Sequence, residues 1–191
     1  MLTDVLRASA GYARRLGLEP ILHFDPPDAA GELERFAPPG FQLLPQRGHG
    51  LAERMANAFE EASAAGAERI LLRGSDSPGL DLEICEEALA RLDQGDDVVL
   101  TPDQGGGYAL IALKEPHPEL FGLTLSTRTV FEETVALAHR KRLVVSSTRA
   151  SFDLDVAADV ARLDAIGPLQ SSVFCPETVQ IVRDFCERGV L

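Results

Sequence analysis

Positive charge is what this sequence most plainly lacks. Its 18 Lys and Arg against 30 Asp and Glu leave a formal net charge of −12, which sets it against the backbone of a nucleic acid or an anionic membrane as its main partner. A phosphate-bearing small molecule could still bind, given local cations, backbone N–H groups or a divalent metal. Also missing is any apolar run of the roughly 20 residues that a membrane-spanning helix needs. The opening MLTDVLRASAGYARRLG has neither the basic and apolar regions nor the cleavage site of a secretory signal. Cysteine is scarce: Cys85, Cys175 and Cys186 are odd in number, far apart and without a C-x-x-C pair, the pattern of reduced, mostly buried thiols. Together these absences predict a soluble cytoplasmic protein. The histidines (His23, His49, His117, His139) form no ligand spacing or triad, and there is no nucleophile elbow, Walker loop or dinucleotide fingerprint.

What is present is the composition of a globular chain, with 45% hydrophobic and 25% charged residues over 191 positions. There is no repeat, low-complexity tract or linker, so a single domain over 1–191 is expected. Helical periodicity runs through 2–16, Leu51–Ala65, Asp81–Asp93, Thr127–His139, Val156–Leu163 and about 177–188. Short apolar runs at Pro20–Phe24, Phe41–Leu44, Arg69–Arg73, Asp97–Thr101, Tyr108–Leu113 and Leu143–Ser147 read as strands. Residues 28–36 hold a helical turn or two. Strands alternating with helices along the whole length predict an α/β fold, a three-layer α/β/α sandwich with a mostly parallel sheet.

In such sheets ligands bind beyond the carboxyl ends of the strands, and that rule ranks the candidate segments. The first is GSDSPGLD, 74–81, directly after the strand RILLR. Gly74 and Ser75 permit a sharp turn, and Asp76 is placed on it to meet a ligand or a hard cation; bracing the turn or capping the next helix is an equally weighted alternative. Asp81 is the expected N-cap of that helix. The second is FDLDVAAD, 152–159, where Asp155 suits an N-cap and Asp153 could face the same site as Asp76; helix capping is the alternative for the segment, and the better reading for Asp159. Carboxylates converging from two loops repel unless a cation lies between them. The third is TPDQGGGYALI, 101–111, whose three glycines suggest a tight hairpin-like turn or a loop that a substrate approaches closely. The fourth, PQRGHGLAERM at 45–55, places free helix-start N–H groups at Leu51 to Glu53, with Arg54 either serving a phosphate or pairing with Glu53 or Asp4. The fifth is LSTRT, 125–129, where Ser126 or Thr127 caps a helix and could also touch a ligand.

The order of these segments resembles a particular bacterial family. GSDSPGL after a strand, the P-x-x-G-G-G-Y-x-L-I turn, the S-T-x-x-V helix start and the D-x-D-x-x-x-D helix start occur in the register of a family of glycosyltransferases with the glycosyltransferase-A fold. That family is related to molybdenum-cofactor and phospholactate guanylyltransferases. The resemblance covers nearly the whole chain, from 2–16 to about residue 165. It implies a nucleotide-diphospho-sugar transferase fold and a Mg²⁺ or Mn²⁺ ion, with a nucleotide or nucleotide-sugar donor and a small-molecule acceptor. Asp76 matches the family's metal-binding aspartate, Asp155 the carboxylate opening the later helix with Asp153 close by, and Gly106, Gly107 and Tyr108 the G-G-Y of the acceptor-side turn. Asp76 and Asp155 are the implied catalytic pair. Gly74, Ser75, Gly106, Gly107, Tyr108, Ser126 and Arg54 are the expected substrate contacts.

The sequence departs from the family in three places. The strand and G-x-x-K-T-R-L loop that open its members have no counterpart ahead of the first helix. Gly105 stands where an acidic residue precedes G-G-Y. In the loop before the 51–65 helix, Gly50 replaces an acidic residue and Ala52 a glycine. The leading expectation is a metal-dependent glycosyltransferase. Nucleotidyl transfer of the guanylyltransferase type, and a catalytically silent binding or scaffold protein, are the alternatives.

Overall fold

Apolar runs too short for helices are separated by amphipathic stretches, and each becomes a separate layer in the computed structural model, which describes residues 1–125, 127–151 and 175–188. The helices are α1 (Leu2–Leu16), the single turn α2 (Ala30–Leu33), α3 (Leu51–Ala64), α4 (Leu82–Gln94), α5 (Val130–Arg140) and α6 (Pro176–Glu187). The strands are β1 (Ile21–Phe24), β2 (Gln42–Pro45), β3 (Ile70–Arg73), β4 (Val98–Pro102), β5 (Tyr108–Leu113) and β6 (Val145–Ser147). Short 3₁₀ turns at Pro27–Ala29 and Pro118–Phe121 complete the described elements. The helix expected over Val156–Leu163 lies outside the described residues.

Strands β1 and β2 pair in parallel, while β3, β5, β4 and β6 form a second sheet in that order. In the larger sheet β5 runs antiparallel to both β3 and β4, and β6 is parallel to β4. Three of its four strands therefore share one direction, as expected of a mostly parallel sheet. The reversal at β5 has a local cause: only five residues, 103–107, join it to β4, far fewer than a parallel crossover requires. Strands β1 and β3 each keep one edge without a strand partner among the described residues. Correspondingly, Ile70, Leu71 and Leu72 of β3 are half-buried, whereas Val98 to Leu100 of β4 are completely enclosed.

The strand period of two sorts the side chains into two cores. Val98, Leu100, Ile111 and Leu113 point to the face covered by Met55 and Phe59 of α3, Leu120 and Phe121, and Ala138 of α5. The Phe59 and Phe121 rings stack there at 5.6 Å. Val99, Leu110 and Ala112 point to the other face, against Ile84, Cys85, Ala88 and Leu92 of α4, with Tyr12 and Leu16 of α1 behind them. The result is the helix–sheet–helix sandwich.

Two helix boundaries carry physical lessons. Asp81 caps α4 as expected, its Oδ1 accepting the Ile84 N–H at 3.0 Å. Helix α5, expected from Thr127, instead begins at Val130, and its N-cap residue Thr129 makes no side-chain cap. The Phe131 N–H donates to Gly106 O at 3.0 Å, so the glycine turn satisfies a first-turn donor that a capping Ser or Thr would otherwise take. At the far end, α6 is capped through space: buried Asp4 of α1 accepts the Thr178 N–H and the Thr178 hydroxyl, both at 2.7 Å.

Candidate functional site

The carboxyl ends of β3, β4 and β6 and the amino end of β5 lie at one end of the larger sheet. Arg73 stands opposite Leu110 and Pro102 opposite Tyr108, and the Gly74 N–H donates to Ala109 O at 3.2 Å. Helix α3 lays Met55, in its second turn, on the same sheet. Loops 74–81, 103–107 and 148–151 are thereby neighbours, as the strand-end rule requires.

The loop after β3 is shaped by its own glycine and by an arginine below it. A Cβ on Gly74 would lie 2.4 Å from Asp76 Oδ1, so the glycine leaves room for the carboxylate to fold back over the turn. Ser77 Oγ is 3.4 Å from the same oxygen. Asp76 is exposed and has no cation partner among the described residues. It therefore braces the turn loosely and does not cap α4. Arg73 holds the loop from the buried side, its Nη2 donating to Ser77 O at 2.6 Å and its Nε to Gly74 O at 3.3 Å. Tyr12 lies in the same layer, and burial pushes its pKa up to about 12 although Arg73 opposes the shift. In the sequence Arg73 is only the last residue of an expected strand. A cation closing an apolar run directly before Gly-Ser-Asp was the available signal.

The glycine-rich turn is a hairpin built on Asp103. Its Oδ1 accepts the N–H groups of Gly105 and Gly107 at 2.6 and 2.8 Å. Gly106 has φ +92°, and a Cβ there would stand 2.0 Å from Arg128 O. The glycines thus serve both expected ends, a tight turn and a close backbone approach, but the element approached is the segment leading into α5. Tyr108 packs against the core over α3, its hydroxyl enclosed near Thr134, and burial pushes its pKa up to about 12. What it gives the turn is anchorage.

The loop after β6 is strapped to its neighbours. Thr148 and Thr101 share a buried hydroxyl contact at 2.8 Å, and the Ser151 N–H donates to Pro102 O at 2.9 Å. Arg149 pairs closely with Asp81 and lies 3.6 Å from Glu83. These ties join the segment just before Asp153 and Asp155 to the base of the Asp76 loop. Asp153, Asp155, Asp159 and Ser126 themselves lie outside the described residues. Arg54 pairs with Asp25 at 3.1 Å, not with Glu53 or Asp4, and also holds Gln46 at 2.9 Å. It fastens the loop before α3 to the end of β1. Glu53 closes the same loop by accepting the His49 N–H at 2.8 Å.

Among the described residues no three His, Cys, Asp or Glu side chains gather in a metal-binding group. Asp81 and Asp103 are already engaged, which leaves Asp76 as the carboxylate on these loops open to an ion. One such group suits Mg²⁺, which takes one or two protein carboxylates and fills its other positions with phosphate and water. A hollow of about 690 Å³ lies elsewhere, at the opposite end of β3 and β5, lined by Ser63, Glu68, Arg69, Asp93 and Lys114 among others. The Arg69–Asp93 pair spans its wall at 2.9 Å. It has no share in these loops. No described helix is long and apolar enough to cross a membrane.

Residues 9–126 match the model of a family described as "Uncharacterized protein conserved in bacteria (DUF2064)". No curated protein matches the sequence. Among solved structures, the fold is similar to a "putative nucleotide-diphospho-sugar transferase" from Desulfovibrio desulfuricans G20, with a TM-score of 0.80 and 23% identity over 97% of this chain and 85% of that one. It is similar also to a cytidylyltransferase from Leptospira borgpetersenii serovar Hardjo-bovis, with a TM-score of 0.57 and 12% identity over 97% of this chain and 84% of that one. At such identities the likeness is one of fold.

Proposed function

The chain belongs to the DUF2064 family of bacterial proteins, and from that premise and the loops around Asp76 we propose that it is a metal-dependent transferase acting on a nucleotide-activated donor, a nucleotide sugar first of all. The observation that carries this reading is Asp76 itself, an exposed carboxylate on a sharp turn at the carboxyl end of β3, with no cation partner among the described residues. The nucleotide-handling names of the two similar folds support the reading by analogy.

In this reading Asp76 holds Mg²⁺ or Mn²⁺, and Asp153 and Asp155 supply the second carboxylate. When bound, the ion neutralises the diphosphate and steadies the charge growing on the leaving group. The chain's own contribution is positioning. Gly74 and Ser75 keep the turn narrow enough for a ligand to reach the Asp76 carboxylate. Gly106 and Gly107 let the neighbouring hairpin close against the segment entering α5, and Tyr108 fixes that turn to the core. Arg54 acts one step removed, by holding the loop before α3.

Isothermal titration with Mn²⁺ and a panel of nucleoside diphosphates and nucleotide sugars tests this, with the wild type beside Asp76→Asn. Metal-dependent binding is expected in the wild type and at least a tenfold loss in the variant. Its melting temperature should stay within about 2 °C, since an exposed side chain with one long hydrogen bond changes stability by no more than about 0.5 kcal/mol. Absence of heat from every ligand in the wild type would end the proposal. Release of pyrophosphate from a nucleoside triphosphate would move it to nucleotidyl transfer.

A further inference from the structure

A chain of net charge −12 that binds a phosphate-bearing molecule needs a cation placed where the phosphate sits. Most arginines near the carboxyl end of the sheet are already committed. Arg47 pairs with Glu61, Arg54 with Asp25, and Arg149 with Asp81; Arg73 is spent on the carbonyls of the loop beneath Asp76. Arg128 differs. It is exposed and makes no hydrogen bond or ion pair among the described residues. Its acidic neighbours on the first turn of α5 do not claim it, and Glu133 instead accepts the Thr129 hydroxyl at 2.7 Å.

Although its side chain is uncommitted, its backbone is held tightly. The Arg128 carbonyl and Cα occupy the space of a Gly106 side chain, at 2.0 and 2.9 Å from where that Cβ would stand. The Phe131 N–H closes on Gly106 O from the other side at 3.0 Å. A residue with no side chain and φ +92° is needed at 106 to allow this. The fold thus fixes the origin of a guanidinium that has no partner among the described residues directly against the glycine turn, at the sheet end where Asp76 is exposed. Arginine is suited to the role because its planar fork meets two oxygens of a phosphate at once.

We infer that Arg128 binds a phosphate group of the substrate at the 105–107 turn. The inference deepens the transferase reading and rests on it. Two sources share this chemistry: the diphosphate of the donor and a phosphate on the acceptor. The test compares wild type, Arg128→Gln and Arg128→Lys, with Arg140→Gln as the control for net charge, since Arg140 lies in the last turn of α5. UDP, GDP, CDP and ADP are titrated calorimetrically with Mn²⁺. Inorganic phosphate is then titrated by ³¹P NMR into protein saturated with the tightest of them.

A loss of about tenfold or more in diphosphate affinity for Arg128→Gln, less for Arg128→Lys and less than threefold for Arg140→Gln, supports the donor as the source. Unchanged diphosphate affinity with loss of phosphate binding supports the acceptor. If Arg128→Gln matches the wild type in both titrations, the inference is overturned while the transferase reading stands. If the wild type binds no diphosphate, that reading fails. Inorganic phosphate titrated into the free protein then decides for Arg128, in its favour if wild type binds and Arg128→Gln does not, against it otherwise.

Discussion

Removing the Asp81 carboxylate breaks two interactions at once, and their sizes can be separated. Oδ1 caps α4 through the Ile84 N–H at 3.0 Å, while Oδ2 pairs with Arg149. Loss of a good N-cap costs about 1 kcal/mol, within a range of roughly 0.5–2. The ion pair is worth less, about 0–1 kcal/mol, because the Arg149 side chain is 49% exposed and water screens it. Asp81→Ala should therefore lose about 1–2 kcal/mol, and at about 2–4 °C per kcal/mol for a chain of this length its melting temperature should fall by about 2–8 °C. Asp81→Asn keeps the cap, since asparagine serves as well as aspartate there, and should lose no more than about 1 kcal/mol. Arg149→Met should match Asp81→Asn, and the two changes together should cost little more than either alone. Urea denaturation of the four variants measures all of this. Equal losses for Asp81→Asn and Asp81→Ala would refute the division, because the damage would then lie in the ion pair and not in the cap.

Two further outcomes follow from the buried groups and the glycine turn. Gly106→Ala should destabilise by about 2 kcal/mol or more, combining the strain of a side chain at φ +92° with a clash against Arg128 O. Gly105→Ala meets only Asp103 Oδ1, at 3.3 Å, and should cost far less; equal losses in urea titration would contradict the clash. Burial pushes the Cys85 thiol up to about 11 from 9.0. The unfolded thiol therefore ionises first, so the folded state retains the proton. The corresponding stability is fully present below about pH 9 and is lost as pH rises through about 11. At about 1.4 kcal/mol per pKa unit, wild type should lose on the order of 2–3 kcal/mol more than Cys85→Ala between pH 8.5 and 11 in denaturation curves.

Much of this fold was legible because its elements are written locally. Four- to six-residue apolar runs such as ILLR and YALIAL can serve as enclosed strands, and the Asp81 cap with Gly95 beyond the helix marks α4 at both ends. The groups that were missed act across distance. Asp4 caps a helix some 170 positions away, and nothing in the residues around it foretells that contact. The late start of α5 has the same origin. Thr127 is a reasonable cap by composition, yet the helix begins only after Thr129, where the Phe131 N–H is met by a carbonyl from the glycine turn. Arg54 was given a choice between a phosphate and nearby acids, and Asp25 took it only because β1 and α3 are brought together by the fold.

The distribution of partners over the charges at the sheet end bears on function more than any motif does. Surface ion pairs contribute little to stability, so the pairing of Arg47, Arg54 and Arg149 is best understood as shaping loops. Against that background Asp76 and Arg128, neither of which has an ion-pair partner among the described residues, are not interchangeable with other exposed charges. Each depends on a glycine: Gly74 leaves room for the Asp76 carboxylate to fold back over its turn, and Gly106 holds the Arg128 backbone where a Cβ would displace it. Holding the Arg128 backbone while its side chain stays exposed sets the origin of that charge beside the turn before a ligand arrives. A ligand that carries phosphates together with a divalent cation offers the negative group for Arg128 and the positive one for Asp76. A cation alone would satisfy only half of the arrangement, and a neutral sugar neither half.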